Sequence, residues 1–124
     1  MEDPGYDYYC QGIAALEQGN LVVALERFEH SLSVERHFKT LARISQVLEM
    51  QGKPVEAAKA LQQAYELNPK NEKVAVSFAE NLDRGGNRAE ARRIVEEVLR
   101  RTPSYGPAKR LLAKWSSEDK SGKP

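Results

Sequence analysis

Three segments of the chain repeat one pattern at a fixed interval. Gly19-Asn20 running to Ala24, Gly52-Lys53-Pro54 to Ala57, and Gly86-Asn87 to Ala91 align, with their leading glycines 33 and then 34 residues apart. Seven residues before each glycine stands a small residue: Gly12, Ser45 and Ala79. Four residues after each alanine comes a larger apolar one: Phe28, Leu61 and Val95. Pro69 and Pro103 recur 34 residues apart. A period of this length means supersecondary units that cannot bury their apolar faces alone and stack on their neighbours instead.

The physical reading at each position is a helical hairpin. The glycine suits the C′ position of a helix, where a left-handed backbone is cheap without a Cβ. Asn20 and Asn87 can cap the next helix, with Glu90 placed as in a capping box. Lys53 offers no cap, but Pro54 fits the first helical position. Small residues at 12, 45, 79 and at 24, 57, 91 allow two antiparallel helices to approach closely, and Phe28, Leu61 and Val95 fill the space left. The prolines end the second helices. Helices are therefore expected over about 4–18, 20–34, 38–51, 54–67, 71–85 and 87–101, and a seventh over 105–117. In the seventh, Ala108, Leu111, Leu112 and Trp115 form one apolar stripe beneath a polar outer face, as a terminal capping helix requires. Residues 118–124 contain no large apolar side chain and are expected to be a disordered tail.

Composition agrees with an all-α chain. Only 7% of the 124 residues are aromatic, and helix formers abound. The single cysteine, Cys10, leaves no intramolecular disulfide and no all-cysteine zinc site. The first residues are acidic and lack an apolar stretch, so no secretory signal is expected. No run approaches the roughly 18 apolar residues of a membrane span. A cytoplasmic setting without membrane contact is the resulting expectation. Charge is uneven: residues 1–62 carry six basic and nine acidic side chains, and residues 63–124 carry thirteen and nine.

The chain resembles the tetratricopeptide repeat (TPR) family, whose 34-residue unit has the pattern W-x2-L-G-x2-Y, then A-x3-F, then P. The middle repeat carries it in Leu41, Ile44, Ser45, Leu48, Ala57, Leu61, Ala64 and Pro69. The third has Phe78, Ala79, Leu82, Ala91, Val95 and Pro103, with a small Ala75 where a large residue is usual. The first keeps Tyr8, Gly12, Ala24, Phe28 and Ser31 but has Gln11 for leucine and Arg36 for proline. The resemblance implies one domain over 5–117, a right-handed superhelix of repeats at about 5–37, 38–71 and 72–105 plus a capping helix at 105–117. It also implies a concave groove lined by Tyr6, Tyr9, Ile13 and Leu16, then Lys39, Ala42, Gln46 and Glu49, then Lys73, Val76, Glu80 and Asp83. A protein or peptide partner would bind there, with no cofactor.

Tyr6, Tyr9, Ile13 and Leu16 form a second stripe on the first helix, beside the core-facing Tyr8, Gly12 and Ala15. Such a stripe serves as an anchor for a partner's apolar side chain, folds over the N-terminal edge, or pairs with a second copy in a homo-oligomer. One subclass of the family clamps a chaperone C-terminal carboxylate. At its clamp positions this chain has Tyr9, Ile13, Arg43, Lys73 and Ser77, of which only Lys73 matches outright, which argues against that role. Arg88, Arg92, Arg93, Arg100, Arg101, Lys109, Arg110 and Lys114 make a basic region. Glu96 and Glu97 stand four residues from Arg92 and Arg93, and few aromatics interleave, which favours a solvated face over nucleic-acid binding. Catalysis and metal binding find no pattern. His30 and His37 lack ligands at metal spacing, Cys10 reads as a packed thiol without an activating neighbour, and Gly85-Gly86 lacks the lysine of a phosphate loop. The sequence reads as an interaction scaffold and not an enzyme.

Overall fold

A computed structural model describes residues 3–121. Among them lie seven α-helices and no strand: α1 (Pro4–Glu17), α2 (Leu21–Val34), α3 (Phe38–Met50), α4 (Pro54–Leu67), α5 (Glu72–Arg84), α6 (Arg88–Arg101) and α7 (Gly106–Ser121). Six of them match the expected helices to within a residue at most ends. The contacts cluster into two compact units that part between Asn68 and Pro69.

One turn design closes all three hairpins. Gly19, Gly52 and Gly86 have φ of 76°, 76° and 89°, where a Cβ would be strained. Each glycine N–H donates to the carbonyl three residues back, and the N–H of the next residue reaches five residues back, as in Asn20 to Ala15 and Asn87 to Leu82. Two otherwise orphaned carbonyls per helix are thereby satisfied. The following residue caps the next helix: Asn20 accepts from the Val23 N–H and Asn87 from the Glu90 N–H, while Lys53 makes no capping bond ahead of Pro54. The reciprocal half of the capping box is not formed. The Asn87 N–H already serves Leu82, and the Glu90 carboxylate turns to Arg93.

In the N-terminal unit the hairpins α1–α2 and α3–α4 share one core, built from Ala15, Ala24, Phe28, Ile44, Val47, Leu48, Ala57 and Ala60. Its tightest point is Gly12, where an added Cβ would lie 2.5 Å from the ring of Phe28, itself wholly buried. The expected small residues are thus buried, and Ser45 adds a bond from its hydroxyl to the Ala57 carbonyl at 2.8 Å. The Ser31 hydroxyl donates to the Gly5 carbonyl at 2.6 Å, tying the start of α1 to the end of α2.

In the C-terminal unit α6 buries Ala91, Ile94, Val95 and Val98, and α7 buries Ala108, Leu111 and Trp115. Helix α7 continues past the expected stop at 117, so residues 118–121 are helical where a tail was expected. The last three residues of that tail lie outside those described. The reason is electrostatic. Glu118 and Asp119 reach back to Arg88 and Arg92, with Arg88 Nη2 donating to Glu118 at 2.9 Å and Arg92 Nη2 to Asp119 at 2.8 Å. Among the described residues no helix is long and apolar enough to cross a membrane.

Candidate functional site

The residues expected to line a groove fall into three groups. Tyr6, Tyr9 and Lys39 come together around a cleft of about 310 Å³ in the N-terminal unit. Its walls are the first turns of α1, the α2–α3 connection and the start of α3. The connection is only three residues long, Glu35 to His37, so it must turn tightly beside the N-terminus of α1. Asp3 caps α1, its Oδ1 accepting from the Tyr6 N–H at 3.1 Å. His37 caps α3 by accepting from the Lys39 N–H on Nδ1 at 3.1 Å. Both caps hold side chains at the cleft rim, and Ser31, bonded to Gly5, fixes the wall opposite.

Tyr6 is 63% exposed. The Cys10 thiol, hydrogen-bonded to it one turn on, holds its phenol above the ordinary value. Tyr9 is half-buried. Its ring packs against Phe28 at 5.7 Å between centroids, and its hydroxyl accepts from Arg43 Nε at 3.3 Å. Arg43 also donates to Gln46. Ile13 and Leu16 do not complete an open stripe with the tyrosines. Both are half-buried and packed on the hydrophobic core, so the second stripe of α1 is wet mainly at Tyr6. The expected packed thiol is also corrected, for Cys10 is exposed. Two residues from the buried Gly12 is about 200° around the helix, which turns position 10 away from the core.

Gln46 and Glu49 are exposed farther along α3 and do not join the cleft. Lys73, Val76, Glu80 and Asp83 belong to the C-terminal unit. Val76 is only 6% exposed and offers no side chain to a groove. It stands with Val74 and Ala75 at the apolar start of α5, and burying a valine stabilises by about 1.5–3 kcal/mol. Lys73 is exposed. Glu80 and Asp83 line a second, smaller cleft of about 170 Å³ with Arg84, Leu111 and Lys114.

Asp83 has partners within its own unit. It accepts from Arg88 Nε at 2.6 Å on one oxygen and from Trp115 Nε1 at 3.1 Å on the other. The bond from Arg88 chiefly holds its carboxyl below the ordinary value, with Trp115 adding to the effect and burial opposing it. Arg88 and Arg92 lie over the indole at 5.3 and 5.9 Å. Farther along α6, Arg93 binds Glu90, and both Arg100 and Arg101 bind Glu97. The arginines of α6 are therefore paired within their own unit, through Glu90, Glu97, Glu118 and Asp119, with Arg93 also acting on Glu97 as its spacing suggested.

Asp3, Glu35, His37 and Thr40 line the first cleft without having been expected at a groove from sequence. For His37 a signal existed in its place just ahead of a helix, although histidine lies outside the usual N-cap set. Glu35 carried no local signal, because its position depends on how the short connection turns. Among the described residues no three histidine, cysteine, aspartate or glutamate side chains group as metal ligands.

Solved structures similar to this chain include TPR domains. The first TPR of Spaghetti (RPAP3), bound to HSP90 peptide SRMEEVD, is 17% identical with a TM-score of 0.78, covering 92% of this chain and 94% of that one. The Sgt2 TPR domain from Aspergillus fumigatus is 15% identical with a TM-score of 0.77, covering 99% and 86%. The Arabidopsis OM64 TPR domain is 13% identical with a TM-score of 0.77, covering 93% and 96%. No curated protein sequence matches the chain. The family model of the tetratricopeptide repeat matches residues 48–114, more than half of the length, and by that match the chain belongs to the tetratricopeptide repeat family.

Proposed function

We propose that this protein is a non-catalytic interaction module that captures a segment of a partner protein, anchored at the N-terminal cleft. One observation carries the reading: Tyr6 stands largely in water at the mouth of a cleft whose other walls are fixed by helix caps and a buried hydroxyl bond. An exposed aromatic ring on a rigid support is the usual anchor of a binding surface, and a preorganised surface leaves most of the ordering cost to the ligand. The first TPR of Spaghetti, similar in fold, is bound to an HSP90 peptide, which supports peptide capture as the mode. A carboxylate clamp of the chaperone-binding kind is not supported, since Tyr9 and Ile13 pack on the core and Arg43 bonds to Tyr9 and Gln46.

Tyr6→Ala is the informative variant, because Tyr9 and Ile13 help hold the core and their truncation would mix folding with binding. Fluorescence anisotropy against a degenerate pool of labelled heptapeptides should show Tyr6→Ala weakening binding by about tenfold or more. Val22→Ala, equally exposed but outside the cleft, should bind as the parent does. Equal binding by all three proteins would contradict the reading.

Self-association is a second reading, favoured by charge. Residues 1–68 carry ten acidic and six basic side chains, and residues 69–124 carry eight and thirteen. Opposite net charges of this kind draw copies together head to tail. Sedimentation equilibrium at low and high salt checks it, with a salt-sensitive dimer expected and a monomer throughout counting against it.

A further inference from the structure

Resting on the interaction-module reading, we propose that the N-terminal cleft takes a cationic side chain, a lysine or arginine of the captured segment, against the Tyr6 ring and between the carboxylates of Asp3 and Glu35. The charges lining the cleft are two carboxylates against one ammonium, that of Lys39. Among the described residues neither Glu35 nor Lys39 forms an ion pair, so both charges are open to a ligand. Asp3 gives one oxygen, Oδ1, to the Tyr6 N–H and keeps the other.

The remaining basic groups nearby do not reverse this balance. His37 turns Nδ1 to the Lys39 N–H as the cap of α3. Arg43 directs its Nε–H to the Tyr9 hydroxyl and its Nη1–H to Gln46 Oε1. Beyond the cleft, the ten carboxylates against six basic side chains of residues 1–68 set a potential that attracts cations to the whole unit. Tyr6 is 63% exposed and its ring offers a contact surface, and an aromatic ring attracts an ammonium or guanidinium group. An acidic ligand would meet Asp3 and Glu35 with only Lys39 to offset them.

The test uses the full chain and four pools of fluorescein-labelled heptapeptides. The pools are identical except for a central arginine, lysine, citrulline or glutamate flanked by leucines. Arginine and lysine pools should bind about fivefold or more tightly than citrulline or glutamate pools. Glu35→Gln should weaken the arginine pool and Lys39→Gln should tighten it, each by a few-fold. Both side chains are exposed and unpaired, so neither change threatens the fold. A preference for the glutamate pool, or a reversal of the two variants' effects, would overturn the cationic assignment while leaving the interaction module standing. If no pool binds the parent better than it binds Tyr6→Ala, both readings fall.

Discussion

The two units of this chain reach stability by different means. The N-terminal unit is held by shape: a glycine opposite a phenylalanine, alanines at the helix crossings, and a few hydrogen bonds between hydroxyls and carbonyls. The C-terminal unit is held in good part by charge: Asp83, Arg88 and Arg92 meet a buried tryptophan, and Glu118 and Asp119 pair with the two arginines. Their outer surfaces differ in the opposite sense. Among the described residues every large exposed apolar side chain belongs to the N-terminal unit: Tyr6, Val22, Val34, Met50, Val55 and Leu67. Val22 and Val55 occupy equivalent repeat positions, where the third repeat has Ala89; Val34 and Leu67 correspond to Arg101. The C-terminal unit commits Asp83, Glu90, Glu97, Glu118 and Asp119 to internal pairs, which leaves fewer carboxylates for a ligand. The unit held by packing keeps unpaired charges and a wet aromatic ring for one.

The comparison can be broken first at its strongest point. Trp115→Ala should cost about 3–5 kcal/mol, since it empties the best-buried site of α7 and removes the donor to Asp83. Hydrogen exchange should then show protection lost across α5–α7. Retained protection there would mean that the network contributes little. Gly12→Ala is the counterpart in the N-terminal unit. Its new methyl would meet a buried ring that has no room to yield, so a loss of about 1–3 kcal/mol is expected in urea unfolding.

Asp83→Ala should cost about 1–3 kcal/mol by leaving the indole N–H of Trp115 buried without an acceptor. Its pH dependence has a definite sign. The folded-state pKa of Asp83 lies below its unfolded value of about 3.9. The carboxylate therefore contributes fully above about pH 5 and loses its contribution as the pH falls through the folded value. Trp115, the one tryptophan of the chain, reports this by fluorescence, and the variant should flatten that part of the acid titration. An unchanged acid limb would remove Asp83 from the account. The smallest expected effect is a gain. Lys53 begins α4 without a side-chain cap where Asn20 and Asn87 begin their helices with one, so Lys53→Asn should raise stability by about 0.5–1 kcal/mol in thermal unfolding.

The hairpins were legible because their determinants are local. A left-handed glycine, an asparagine behind it and an alanine at the crossing leave their mark within a few residues of each other. Trp115 was legible as core by its spacing from Ala108 and Leu111. Features set by distant partners were not. Glu118 and Asp119 look like solvated tail until Arg88 and Arg92, some thirty residues upstream, are brought beside them. Asp83 looks like a groove carboxylate until the indole of α7 arrives. For the candidate site, helical spacing pointed to Tyr6 and Tyr9, and the family resemblance to Lys39. It could not show that Ile13 and Leu16 pack on the core, nor that Glu35 and His37 of the short connection close the cleft. Those placements follow from how two hairpins meet, which no single helix records.

The claim that recognition resides in the packed, acidic unit is tested most directly by following backbone amide NMR signals while the arginine-centred heptapeptide pool is added. The expected result is progressive shifts at Tyr6, Tyr9, Glu35, His37 and Lys39. Shifts concentrated instead between Arg88 and Lys114 would place binding on the basic face of the C-terminal unit, and would contradict the account.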